Sequence, residues 1–261
     1  MSKELSLILG LLLPVLGTTL GAVMVFLLKK DLNVKVKKIL LGFAAGVMVA
    51  ASIWSLILPS IEMSSYDGGW KLIPTLVGFV LGMLLLLLLD NITPHLHPSS
   101  GRPEGPESQI SRTNKLFLAV TLHNIPEGMM VGIILASLLT DSVITPMGAF
   151  ALSLGVAIQN FPEGAIVSMP FEAEGNSKGK SFLLGVISGV VEPFAAVIMI
   201  LLKDVLVPVM PYFLSFAAGA MVYVVVEELI PEAQDNTHSN LPTIGFGVGF
   251  LLMMALDILL G

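Results

Sequence analysis

Residues Phe43–Pro59 read FAAGVMVAASIWSLILP, and residues Phe216–Pro231 read FAAGAMVYVVVEELIP. Each stretch opens on nearly the same small-residue hexad, runs on through apolar residues and reaches a proline followed soon by a glutamate, Glu62 in one and Glu232 in the other. Each sits in an apolar run long enough to cross a ~30 Å hydrocarbon layer as a helix. Small-residue motifs do recur in packed membrane helices, so the flanking sequence has to decide whether this is a true repeat.

The flanks repeat as well. The next apolar run opens at Pro74-Thr75 and closes at Asp90, and its counterpart opens at Pro242-Thr243 and closes at Asp257. The preceding runs align through Ala22-Val23 to Leu28-Lys29 and Ala196-Val197 to Leu202-Lys203, which sets Thr18 opposite Glu192. Turn and charge signals divide the whole chain into eight expected spans, at about 5–28, 39–60, 72–90, 116–139, 146–168, 181–202, 209–230 and 242–260. The first repeat takes spans one to three and the second spans six to eight, so they enter the bilayer from opposite sides. The expected fold is therefore an all-α integral membrane domain over residues 1–261, an inverted repeat around a central pair, spans four and five.

Composition supports a lipid environment. The chain is 55% hydrophobic and 12% charged, and it has no cysteine, which excludes disulfides and thiolate metal ligands. A net charge of −6 without a basic stripe gives no footprint for nucleic acid. Lysine and arginine set the orientation. Lys29, Lys30, Lys35, Lys37, Lys38, Arg102, Arg112, Lys115, Lys178 and Lys180 fall on one side, and Lys3, Lys71 and Lys203 on the other. The expectation is a multi-pass protein of the cell (inner or cytoplasmic) membrane, with both termini outside. The segment 91–115, rich in Pro, Ser and Gly and carrying His95 and His97, is expected to be a flexible cytosolic loop.

Spans four and five carry the chemistry. One contains His123-Asn124-Ile125-Pro126-Glu127-Gly128, the other Gln159-Asn160-Phe161-Pro162-Glu163-Gly164. An ionisable side chain at bilayer depth costs ~3 kcal/mol or more and normally faces a cavity. At about 100° per residue, His123 points to ~0°, Asn124 to ~100° and Glu127 to ~40°. Glu127 thus projects between the other two, where its carboxylate can bridge two cations; Gln159, Asn160 and Glu163 repeat the pattern. Pro126 and Pro162 lack the N–H that would engage the carbonyls of Leu122 and Ile158, a defect tolerated where a helix lines a polar cavity. Glu192 of span six falls near the same depth. Met48 of span two offers a thioether, although most of the 14 methionines serve packing. One imidazole with carboxylates and amides suits Zn²⁺, Mn²⁺, Fe²⁺, Co²⁺ or Cd²⁺.

These motifs resemble those of the ZIP (Zrt/Irt-like) metal transporters, in particular the GufA-like prokaryotic branch, and Ser188-Gly-Val-Val-Glu-Pro193 and Val225-Val-Glu-Glu-Leu-Ile-Pro231 are similar to that branch too. The resemblance implies a transporter moving divalent metal into the cytosol, often as a homodimer, by elevator-like alternation. It implies a binuclear centre: one metal on Met48, His123, Glu127, Gln159 and Glu163, the other on Asn124, Glu127, Asn160, Glu163 and Glu192. Many relatives have histidine where Gln159 stands, and some have aspartate where Asn160 stands. The metal is then cargo, with no resident cofactor and no enzymatic activity expected. The alternative is an intramembrane metal-dependent hydrolase, which would need an open coordination position and a spare general base. His123 as the sole imidazole at depth, and the absence of His-Glu-x-x-His, argue against it.

Overall fold

The computed structural model describes residues 1–27, 33–92, 95–96, 103–104, 111–140, 144–234 and 239–260. They form eight helices long and apolar enough to cross a membrane: α1 (Lys3–Leu27), α2 (Val34–Glu62), α3 (Gly68–Asn91), α4 (Arg112–Leu138), α5 (Pro146–Ala173), α6 (Lys178–Leu201), α7 (Met210–Gln234) and α8 (Leu241–Leu260). Much of the loop expected over 91–115, with His97, lies outside the described residues. Among the described ones, His95–Leu96 pairs antiparallel with Pro103–Glu104.

The helix starts obey local chemistry. Ser2, Asn33, Ser111, Thr145 and Ser177 each accept a hydrogen bond from a backbone N–H of the first turn, and Pro146 occupies the first position of α5, where no N–H is needed. These caps correct the expected boundaries. α2 begins at Val34 and α4 at Arg112, earlier than the apolar runs, because the lysines and arginine there continue the helix beyond its membrane-crossing part. α5 runs on to Ala173, through Pro162 and Pro170.

The helices sort into two groups by packing. α1, α4, α5 and α6 pack on one another, α1 chiefly on α5 and α4 chiefly on α6; the other group pairs α2 with α8 and α3 with α7. Exchanging the two repeats, with α4 for α5, converts each pairing into its partner. The exchange holds at single residues. A Cβ on Gly46 would overlap the Phe246 carbonyl and one on Gly249 the Phe43 carbonyl, across the α2–α8 pair; across the α3–α7 pair Gly219 meets Phe79 and Gly82 meets Phe216 in the same way. Only glycine allows these backbones such close approach. Both repeats also contain one wide π-helical segment, Ser52–Ile57 in α2 and Val225–Leu229 in α7, just before Pro59 and Pro231. The proline has no N–H for the preceding turn, and the helix widens there.

Burial differs sharply between helices. In α5, 78% of the membrane-crossing window is buried, against 17% in α8. α5 is therefore central as expected; α2, at 67%, is as enclosed as α4, at 62%. Two cavities lie on the seam between the groups. One of about 210 Å³ is lined by Ser55, Glu62, Gly148 and Asp257 and lies towards the end carrying both termini. The other, of about 460 Å³, is lined by Lys37, Thr113, Met169 and Glu174 at the opposite end.

Candidate metal centre

Along α5, the polar segment Gln159–Glu163 lies between Gly148, which lines the first cavity, and Ala165, which lines the second. Around it the structure gathers most of the predicted ligands. Asn124, Gln159 and Asn160 are fully buried, and Glu127, Glu163 and Glu192 nearly so. The three carboxylates come from α4, α5 and α6, and they interact electrostatically: Glu127 with Glu163, Glu163 with Glu192, and Glu192 with Glu127. Packing like charges together away from water is costly unless a cation or protons compensate.

Close backbone contacts hold the segments together. A Cβ on Gly128 would run into the backbone of Glu192, and one on Gly164 into the carbonyl of Thr18. Gly128 and Gly164 are equivalent positions of the two motifs, and Glu192 and Thr18 are equivalent positions of the two repeats. The asparagines follow the same rule. Asn124 donates its amide to the Ser188 carbonyl of α6 at 2.8 Å, and Asn160 donates to the Pro14 carbonyl of α1 at 3.3 Å. Asn160 also donates to both Glu192 oxygens, at 2.8 Å each.

With their nitrogens committed to these acceptors, the two asparagines leave their oxygens free. The Oδ1 atoms of Asn124 and Asn160, Oε2 of Glu127 and both polar atoms of the Gln159 amide are buried without a hydrogen-bonding partner. Gln159 faces Glu127 nonetheless. Each unpartnered buried polar atom costs roughly 1–3 kcal/mol, so a cluster of them signals a missing ligand. Oxygen donors in this number fit a divalent cation.

Two further predicted ligands lie on α4 and α2. His123 lies on α4 one turn before Glu127, but its side chain is outside the described residues. Met48 is fully buried on α2, in the apolar core that also holds Met130 and Val156. Other charges identified in the sequence have found partners: Asp90 accepts from the Tyr223 hydroxyl at 2.8 Å, and Lys37 pairs with Glu232 at 2.6 Å. Asp257 accepts from Ser55 at 2.6 Å through Oδ1, while its Oδ2 is buried and unpartnered beside the first cavity. Glu228, in the π-helical segment of α7, acts electrostatically on Glu163. Thr18 and the Pro14 and Ser188 carbonyls were not among the predicted site residues. The only sequence signal for Thr18 was its alignment with Glu192.

Eight membrane-length helices, an inverted repeat and a buried acidic cluster among α4, α5 and α6 define a polytopic membrane transporter. A family model described as ZIP Zinc transporter matches residues 104–257. Zinc transporter ZIPB of Bordetella bronchiseptica is 37% identical, the alignment covering 94% of this chain and 78% of that protein. Zinc transporter ZIP11 of Homo sapiens is 33% identical over 94% of both chains, and zinc transporter GufA of Myxococcus xanthus 31% identical over 94% of this chain and 95% of its own. The chain belongs to the ZIP family. That membership places it among transporters and removes the hydrolase alternative.

Proposed function

We propose that this protein carries Zn²⁺, and with it Cd²⁺, Mn²⁺, Fe²⁺ and Co²⁺, across the cell membrane into the cytosol through a binuclear centre within the bilayer. The observation that carries this reading is the cluster of unpartnered oxygens on Asn124, Glu127, Gln159 and Asn160 beside three buried carboxylates. Glu127 and Glu163 are the shared ligands. Met48, His123 and Gln159 complete one metal's set, and Asn124, Asn160 and Glu192 the other's. The relatives named as zinc transporters support the choice of cargo.

In this reading both termini lie outside. The cavity beside Asp257 and Glu62 is the outer approach to the site, and the cavity beside Lys37 and Glu174 is the cytosolic exit. Asp257 draws cations in, because its free oxygen faces a partly apolar space where a charge is weakly screened. The group α1, α4, α5 and α6 carries nearly all the proposed ligands, with Met48 alone on the other group. Movement of that group against α2, α3, α7 and α8 would expose the same ligands to each side in turn. A homodimer would hold the second group still while the first moves.

The test is uptake of radioactive Zn²⁺ into proteoliposomes. Wild-type protein should accumulate metal above empty vesicles, and Glu127→Ala and Glu163→Ala should each reduce the rate at least tenfold. Equal uptake by all three, or none by the wild type, would remove the assignment.

A further inference from the structure

Glu192 is the carboxylate of the centre that has no counterpart in the other repeat, since Thr18 occupies the equivalent place on α1. The structure brings these two counterparts together. Thr18 is fully buried and lies against Gly189, one turn before Glu192 on the same helix. A Cβ on Gly189 would stand 2.7 Å from the Thr18 hydroxyl, so glycine there makes room for it.

The Thr18 hydroxyl donates to one carbonyl of its own helix. The Pro14 carbonyl is at 3.4 Å, a long contact, and already receives the Asn160 amide. Sharing that carbonyl sets the hydroxyl beside the Asn160 amide, which binds both oxygens of Glu192, so a charged acceptor stands on that side. A hydrogen bond to a charged acceptor is shorter and stronger than one to a neutral carbonyl. Asn160 grips both oxygens of Glu192 from α5. Thr18 approaches the same carboxylate from α1.

We infer that Thr18 is a positioning residue of the metal centre, its hydroxyl and the Asn160 amide together fixing the Glu192 carboxylate in the orientation that meets the second metal. Threonine thereby converts an element of broken symmetry into a use: one repeat supplies the ligand, and the other supplies the donor that aims it. All four helices of the α1, α4, α5, α6 group then contribute a side chain to the centre. The inference rests on reading Glu192 as a ligand of the proposed centre.

Thr18→Val keeps the shape and removes the hydroxyl, whereas Thr18→Ser keeps the hydroxyl and removes a methyl. Zn²⁺ uptake into proteoliposomes should show a half-saturating concentration roughly tenfold higher for Thr18→Val, the loss expected for one hydrogen bond to a charged group, with most of it restored in Thr18→Ser. In a Glu192→Gln background Thr18→Val should add little further loss, because its effect passes through that carboxylate. Wild-type behaviour of Thr18→Val would overturn the inference. So would an equal loss in Thr18→Ser, which would mark packing, or losses of Thr18→Val and Glu192→Gln that multiply. Equilibrium Zn²⁺ binding to the detergent-solubilised protein makes the same comparison without transport. A wild type that binds but does not transport, with the binding defect of Thr18→Val intact, would overturn the transport reading and support this one.

Discussion

Asn160 is the residue on which the two halves of the centre depend most unequally. Its Oδ1 is free for a metal, while its amide is committed to Glu192 and to the Pro14 carbonyl. In the proposed binuclear centre, removing it would take away one neutral ligand and loosen a charged one, both assigned to the second metal. Glu163, in contrast, is a shared ligand in that proposal. Asn160→Ala should therefore lower bound Zn²⁺ from two per chain towards one in equilibrium dialysis, whereas Glu163→Ala should lower it towards none; equal stoichiometry in the two variants would contradict the shared-ligand assignment. The carboxylates were legible in the sequence because an ionisable group inside an apolar run has few structural explanations. The amide orientations were not. Which atom of Asn124 or Asn160 faces the centre is decided by backbone carbonyls on α6 and α1, residues distant in sequence. Thr18 was hidden for a related reason: a threonine in an apolar helix bonds its own backbone cheaply, and nothing local marks it as a partner of Glu192.

At the level of helices, the repeat makes a quantitative demand. Gly46 and Gly219 are equivalent, and each lets its helix touch the backbone of α8 or α3. A valine at either place must push two backbones apart, at a cost of about 1–3 kcal/mol or more. Gly46→Val and Gly219→Val should each lower the melting temperature of the detergent-solubilised protein, and by similar amounts, while Gly247→Val, where a Cβ meets nothing within 4 Å, should leave it unchanged. A large effect at only one of the pair would show that the two interfaces are not equivalent in energy. The eight spans and the repeat were legible because hydropathy, Pro and Gly are local signals repeated in register; which helix packs on which was not. The helix ends were not, since the charged residues after Asn33 and Ser111 read as loop although capping makes them helix. The π-helical segments were missed as well: the prolines mark where each helix is weakened, but the sequence does not say that the turn widens rather than bends.

For the molecule as a whole, the balance of charge decides how transport is driven. The α1, α4, α5, α6 group brings Glu127, Glu163 and Glu192 into its buried centre, and the one buried lysine or arginine among the described side chains, Lys38, lies on α2, in the other group. The centre therefore changes its charge with what it carries, and the return step determines the net movement. If the group returns with its carboxylates bare, two positive charges enter per Zn²⁺, and an inside-negative potential contributes roughly 4–5 kcal/mol per 100 mV. If it returns carrying protons, that contribution shrinks by one charge for each proton taken out. We expect the first behaviour: imposing an inside-negative potassium diffusion potential on proteoliposomes should raise Zn²⁺ accumulation, and reversing it should lower accumulation, with the interior pH unchanged. Accumulation that ignores the potential and instead alkalinises the interior would establish electroneutral exchange, with the carboxylates crossing back in protonated form. Glu127→Ala provides the control, because a leak through lipid would respond to potential in that variant as well.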